Sequence, residues 1–279
     1  MSAGAVTAPR LSWRTLSLAG LAYMIGAIFL LPYLEMTISA LRPADELLER
    51  NYFPDRWTLA NFTNIWTTDF GTSLRISLEV AAGATALVLL VAIPAAYYTA
   101  RRRFVGRTAF LLLVLVTQMF QPTAMLVGIY REFLSFNMLD SVPALILVNA
   151  GFNLAFAVWI LNAYVSSIPV ELEEAAFIDG TSRFGAMWRI TLPLAGPGIV
   201  TALIYTFISA WNEFVVALTL TTTPAMEPLT VTLNSYIGQY KVDWGHLFAG
   251  SVIATLPVII LFILIEGRLV SGLTAGAVK

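Results

Sequence analysis

Six stretches of this chain are long and continuously apolar, and they constrain the fold more than anything else in it: residues 16–38, 74–100, 108–130, 142–165, 198–220 and 247–265. A helix needs about 20 apolar residues to cross a bilayer core, and each stretch has that length. Barrel strands would instead show ten-residue segments of alternating polarity. The remaining composition agrees, with 58% apolar residues, 12% charged residues and a mean hydropathy of +0.78, whereas soluble domains carry roughly 25% charge. The expected fold is therefore an all-α membrane protein of six transmembrane helices. The chain divides into an N-terminal tail (1–15), a transmembrane domain (16–270) and a C-terminal tail (271–279).

Several function classes fall away on residue counts. The chain has no cysteine and only one histidine, His246, which removes disulfides, thiol chemistry and histidine metal sites. No G-x-x-x-x-G-K-[ST] phosphate loop occurs, so no nucleotide site is expected here. A net charge of −1 gives no support to nucleic-acid binding. An intramembrane hydrolase would need a paired nucleophile and base, which the sequence does not offer.

Orientation follows from the basic residues. With the N-terminus inside, Arg10, Arg14, Arg101, Arg102, Arg103, Arg107, Arg183, Arg189, Arg268 and Lys279 lie in the cytoplasm, ten of the sixteen Lys and Arg. The excess predicts cytoplasmic termini. The cluster from Arg101 to Arg107 reads as a topology signal, and the first apolar run, too long for a signal-peptide core, reads as an uncleaved anchor. Residues 41–70 form an outer loop, and Arg75 and Glu79 are spaced to pair along a helix.

Between the fourth and fifth runs lies a polar stretch, residues 169–193, on the cytoplasmic side of this topology. Pro169 suits a first helical turn, and Glu171, Glu173 and Glu174 suit the positive end of its dipole. Gly180 is placed to stop the helix, and Thr181 or Ser182 to cap a second. Leu172, Ala175, Ala176 and Asp179 share one face of the first helix. By physical chemistry alone this is either a docking surface or a solvated connector.

The spacing Glu174-Ala175-Ala176, three residues, Gly180, nine residues, Ile190, one residue, Leu192-Pro193 resembles the cytoplasmic loop of membrane subunits in binding-protein-dependent ABC importers. Trp211-Asn212-Glu213-Phe214 and the C-terminal residues 272–279 resemble the sugar permeases of the maltose-importer type, in particular the six-span partner of a heterodimer. The resemblance implies a short cytoplasmic coupling helix between spans four and five. Glu174, Ala175, Ala176, Asp179 and Gly180 would then meet a cytoplasmic ATPase subunit dimer, which binds the ATP, while this chain is non-catalytic and carries no cofactor. It also implies a second homologous permease subunit, a periplasmic or lipid-anchored substrate-binding protein facing the outer loop 221–246, surrounding membrane lipid, and an inner-membrane location.

Polar residues inside apolar spans mark candidate pathway positions, because they are costly in lipid without partners. They include Gln118, Gln121, Asn149, Asn153, Asn162, Trp211, Asn212 and Glu213. Amides beside aromatic rings suit sugars, whose hydroxyls need hydrogen bonds while their C–H faces stack. A polyol or glycerol phosphate is the alternative solute. A channel or ion-coupled transporter acting alone is the alternative class.

Overall fold

The computed structural model describes residues 13–47 and 51–275, with side chains through residue 266. In chain order the helices are α1 (Trp13–Ala40), α2 (Ala60–Asn64), α3 (Phe70–Arg101), α4 (Arg107–Thr117), α5 (Pro122–Ser135), α6 (Val142–Ser167), α7 (Glu171–Ile178), α8 (Arg183–Ala186), α9 (Leu192–Leu194), α10 (Gly196–Trp211), α11 (Val215–Leu220), α12 (Leu229–Ser235) and α13 (Trp244–Ala275). Among the described residues the only β pairing is an isolated bridge between Ile237 and Val242. The all-α class is as expected.

The spans are less uniform than the sequence predicts. Helices α1, α3, α6 and the first part of α13 are each long and apolar enough to cross a membrane, and two bent helix pairs bring the number to six if each is one span. The third apolar run is not one helix: α4 and α5 meet at 93°. Pro122 opens α5, and Gln121 before it is extended (φ −70°, ψ 129°), because a residue preceding proline is pushed out of the helical region. The fifth run is also interrupted: α10 ends at Trp211 and α11 begins at Val215. α13 continues through Ala275, into residues that read from sequence as a tail. The rest of that tail, 276–279, and residues 1–12 of the N-terminal tail lie outside the described residues.

Helix α3 is the centre of the bundle. Ala92 and Ala96 of α3, Ala157 of α6 and Ala202 of α10 are fully buried in one seam, with Val88, Val158 and Leu161 beside them. Small side chains let helix backbones approach closely. Gly198 shows how closely, since a Cβ there would sit 2.5 Å from the Tyr164 ring. Polar bonds cross the same interface, with Asn162 Nδ2 donating to Thr99 Oγ1 at 2.8 Å. Asn162 is therefore an interhelical tie. At the other end of α3, the Leu229 N–H donates to Ser77 Oγ at 2.7 Å and Thr232 Oγ1 donates to Ser73 Oγ at 2.6 Å, which seats α12 in what reads from sequence as plain loop. By contrast α1 leaves most of its length exposed and packs along α13, as a lipid-facing helix would.

The predicted outer loop after α1 is also organised. Glu46 is 6% exposed and accepts from the N–H of Asp55 at 3.0 Å and from Arg56 Nε at 3.0 Å. Asn61 Nδ2 donates to the carbonyls of Ala40 and Arg42 at 2.9 and 2.8 Å. Charged residues in this loop thus hold it folded against the helix ends. The turn after α5 is tied similarly: the Asp140 carboxylate accepts from the N–H groups of Thr222 and Thr223 at 2.9 and 3.1 Å.

Candidate functional site

The polar stretch folds as its local signals predict except at its start, where Pro169 precedes α7 instead of sitting in its first turn. α7 carries Glu171, Glu173 and Glu174 in its first turn. It ends at Gly180 in the left-handed region (φ +81°), where the Gly180 N–H reaches the Phe177 carbonyl at 3.1 Å and the Thr181 N–H reaches that of Ala176 at 2.9 Å. This pair of bonds closes the orphan carbonyls of a helix end, and glycine alone adopts the required φ without strain. Ser182 then caps α8, its Oγ accepting from the Gly185 N–H at 3.2 Å. A wide π-helical turn, Met187–Thr191, leads through α9 to a 76° bend before α10.

The residues of α7 divide by exposure in a way the sequence did not reveal. Glu173 is 3% exposed and points into the bundle. Its carboxylate pairs with Arg101 Nε at 2.7 Å, accepts from the Tyr97 hydroxyl at 2.8 Å and accepts from the Thr191 hydroxyl. Arg101 also donates from Nη1 to the Ile168 carbonyl at 3.0 Å. The reading of Arg101 as a topology signal alone is thereby corrected. It closes a buried ion pair, whereas Arg102 and Arg103 stay exposed.

Around the buried pin, Glu174, Ala175, Asp179 and Gly180 are exposed and Ala176 is half-buried. Leu172, grouped with them by helical spacing, is 46% exposed. Among the described residues the carboxylates of Glu174 and Asp179 make no hydrogen bond or ion pair. Apolar side chains that carried no sequence signal stand beside them, with Ile178 87%, Phe184 69% and Trp188 54% exposed. The outward surface is thus acidic, small-residue and apolar together, on a base held in place by Glu173. Helical spacing does not single out Glu173, because Glu174 also lies off the Leu172, Ala175 and Asp179 face. The partners of Glu173, Tyr97 and Thr191, could not have been found that way either.

The candidate pathway residues separate into two groups. Asn149 and Asn153 of α6 are 3% and 4% exposed, and each donates from Nδ2 to a carbonyl of its own helix at 2.9 Å, Leu145 and Asn149 respectively. Trp211 is buried, stacks on Phe207 at 5.9 Å and donates from Nε1 to the Ala254 carbonyl at 3.2 Å. Asn212 is exposed at the break between α10 and α11 and lines two clefts of about 670 Å³ each. One cleft lies among α1, α10, α12 and α13, and the other lies between α10 and Phe262 of α13. A third cleft of about 560 Å³ opens at the α4–α5 bend beside Gln118, Phe120 and Phe152. There Gln118 Nε2 donates to the Phe152 carbonyl at 3.0 Å.

Glu213 has a local structural task. Its two carboxylate oxygens accept from the N–H groups of Val216 and Ala217 at 2.7 and 3.0 Å, satisfying backbone donors that the break in the fifth span leaves free. Replacing Glu213 by alanine is expected to loosen α11 by about 0.5–2 kcal/mol, the worth of a helix cap. It should alter uptake without loss of assembly, as read by thermal melting and transport kinetics; wild-type values in both would deny the cap any role.

Between α12 and α13 Tyr240 is 93% exposed, and Trp244, which opens α13, is 38% exposed. Asp243 accepts from His246 Nδ1 at 2.7 Å. Burial pushes the Asp243 carboxyl up, but its hydrogen bonds from His246 outweigh this and hold it below the usual carboxylate range.

Residues 72–273 match the family described as binding-protein-dependent transport system inner membrane component. The chain belongs to this family. The permease is 35% identical over 253 residues to the sulfoquinovosyl glycerol transport system permease protein SmoH of Agrobacterium fabrum, covering 90% of this chain and 89% of that one. It is 33% identical to the diacetylchitobiose uptake system permease protein DasC of Streptomyces coelicolor, covering 91% and 93%. It is 32% identical to the trehalose/maltose transport system permease protein MalG of Thermococcus litoralis, covering 92% and 94%. Among solved structures, a chain of a bacterial ABC transporter involved in import of the acidic polysaccharide alginate superposes with a TM-score of 0.78 at 21% identity, covering 93% of the permease and 99% of that chain. The permease therefore shares the importer subunit fold and is an integral inner-membrane transport component.

Proposed function

We propose that the permease forms half of the translocation pathway of an ATP-driven importer for a sugar or oligosaccharide. It would couple that pathway, through α7, to a cytoplasmic ATPase dimer. The observation that carries the coupling role is the division of α7: Glu173 is locked inward, while Glu174, Ala175, Asp179 and Gly180 face outward, with the carboxylates of Glu174 and Asp179 free for a partner. The carbohydrate names of the relatives SmoH, DasC and MalG support a sugar as solute, and the exposed amide Asn212 near aromatic side chains suits one chemically. A polyol or glycerol phosphate is the second reading, since sulfoquinovosyl glycerol itself contains a glycerol unit.

In this reading the chain is non-catalytic and holds no cofactor; ATP is bound by the partner subunits. A second homologous permease completes the pathway, a substrate-binding protein delivers solute at the outer face, and lipid surrounds α1. Both termini are cytoplasmic, as the distribution of Lys and Arg favours. Charge reversal, Glu174→Lys, is expected to leave the chain in the membrane but to cut recovery of the ATPase subunit with it and to abolish uptake. Normal uptake by that variant would remove the docking assignment. Uptake that persists without any ATPase subunit and tracks an ion gradient would instead identify a transporter acting alone. Competition between labelled sugars and glycerol phosphate for the binding protein separates the two solute classes.

A further inference from the structure

We infer that Glu173, through its buried bonds to Arg101, Tyr97 and Thr191, is the positioning residue that makes α7 and α3 move as one body, so that displacement of α7 enters the bundle through α3. The inference rests on the reading of α7 as the ATPase-docking helix. Along the chain, the forward route from α7 to the membrane passes the Gly180 turn, the π-helical turn and the 76° bend before α10. Such bends are places where a segment can flex. The side-chain route bypasses them: one carboxylate joins α7 directly to two residues of α3 and to Thr191, and Arg101 extends the tie to the Ile168 carbonyl at the end of α6.

Directional bonds to a buried charge fix orientation as well as distance. Beyond the node, α3 meets α6 and α10 through the fully buried alanines 92, 96, 157 and 202. Alanine has no rotamer to change, so a close-packed seam of this kind passes displacement on instead of absorbing it by repacking. Glu174, one residue away and exposed, is the contact to the motor; Glu173 is the contact to the membrane.

The chain contains no cysteine, so a pair of introduced thiols is unique within it. With Glu171→Cys on α7 and Tyr98→Cys on α3, both at exposed positions, spin labels report the α7–α3 distance in the complex assembled with its ATPase. The expected result is a narrow distance unchanged by ATP when Glu173 is present. In the Glu173→Gln background the distribution should broaden, and solute transported per ATP hydrolysed should fall by about tenfold, the scale of a coupling free energy between sites. Tyr97→Phe, which deletes one hydroxyl, should change both in the same direction by less, and it serves if Glu173→Gln does not fold. A distance that shifts with ATP in the Glu173 background would overturn the inference. So would wild-type width and wild-type stoichiometry in the variants. Recovery of the otherwise unaltered chain without any ATPase subunit would overturn the docking reading and this inference with it.

Discussion

Gly180→Pro is expected to leave the permease inserted in the membrane and to abolish its coupling to ATP hydrolysis. Gly180 holds φ +81°, whereas proline is fixed near −65°. The substitution also deletes the N–H that bonds the Phe177 carbonyl at 3.1 Å. The chain therefore leaves α7 in another direction, and Thr181, Ser182 and α8 are displaced from the surface they form with Glu174 and Asp179. The spans lie outside this turn and keep their packing. Gly180→Ala is the graded control, since a left-handed alanine costs about 1–2 kcal/mol without losing the N–H. Uptake and ATPase stimulation by loaded binding protein should be absent in the proline variant and reduced in the alanine variant. Full transport by the proline variant would mean that the geometry of this turn is irrelevant to coupling.

The second large effect concerns stability. Arg101→Ala leaves the Glu173 carboxylate buried without its cation, and breaking a buried pair in this way costs about 3–5 kcal/mol. The side chains of Arg101 and Glu173 are 10% and 4% exposed, so solvent does little to compensate. The Arg75–Glu79 pair is the internal comparison, with side chains 71% and 50% exposed. Arg75→Ala should cost under about 0.5 kcal/mol. Thermal melting of both variants in detergent checks the contrast, and equal losses would mean that Glu173 is not a buried anchor. The double variant Arg101→Ala/Glu173→Ala should recover part of the loss, because the stranded charge is then gone.

Local chemistry made much of this protein readable in advance. Runs of about twenty apolar residues fix helices across a bilayer because hydrocarbon leaves backbone groups no other partner. Glycine at 180 and serine at 182 fix the turn and the cap because these depend on neighbouring residues only. The same locality explains what was not legible. Apolarity alone makes the third and fifth runs look like uninterrupted helices, but Pro122 breaks the third, and residues 212–214 break the fifth, with Glu213 capping α11. Asn149 and Asn153 stand out in the sequence as buried polar residues, and the fold returns their amide nitrogens to α6 itself.

What the sequence determined by itself was the class of molecule and the existence of a polar helical hairpin between its fourth and fifth apolar runs, since apolar length and turn residues act over a few positions. The tertiary structure alone decided which acid of that hairpin turns inward. Glu173 and Glu174 are neighbours of the same chemical type, and the choice between them is made by Arg101, seventy-two residues away in sequence and 2.7 Å away in space. A buried charge is tolerated only where the whole bundle brings it a partner, and no local pattern contains that partner.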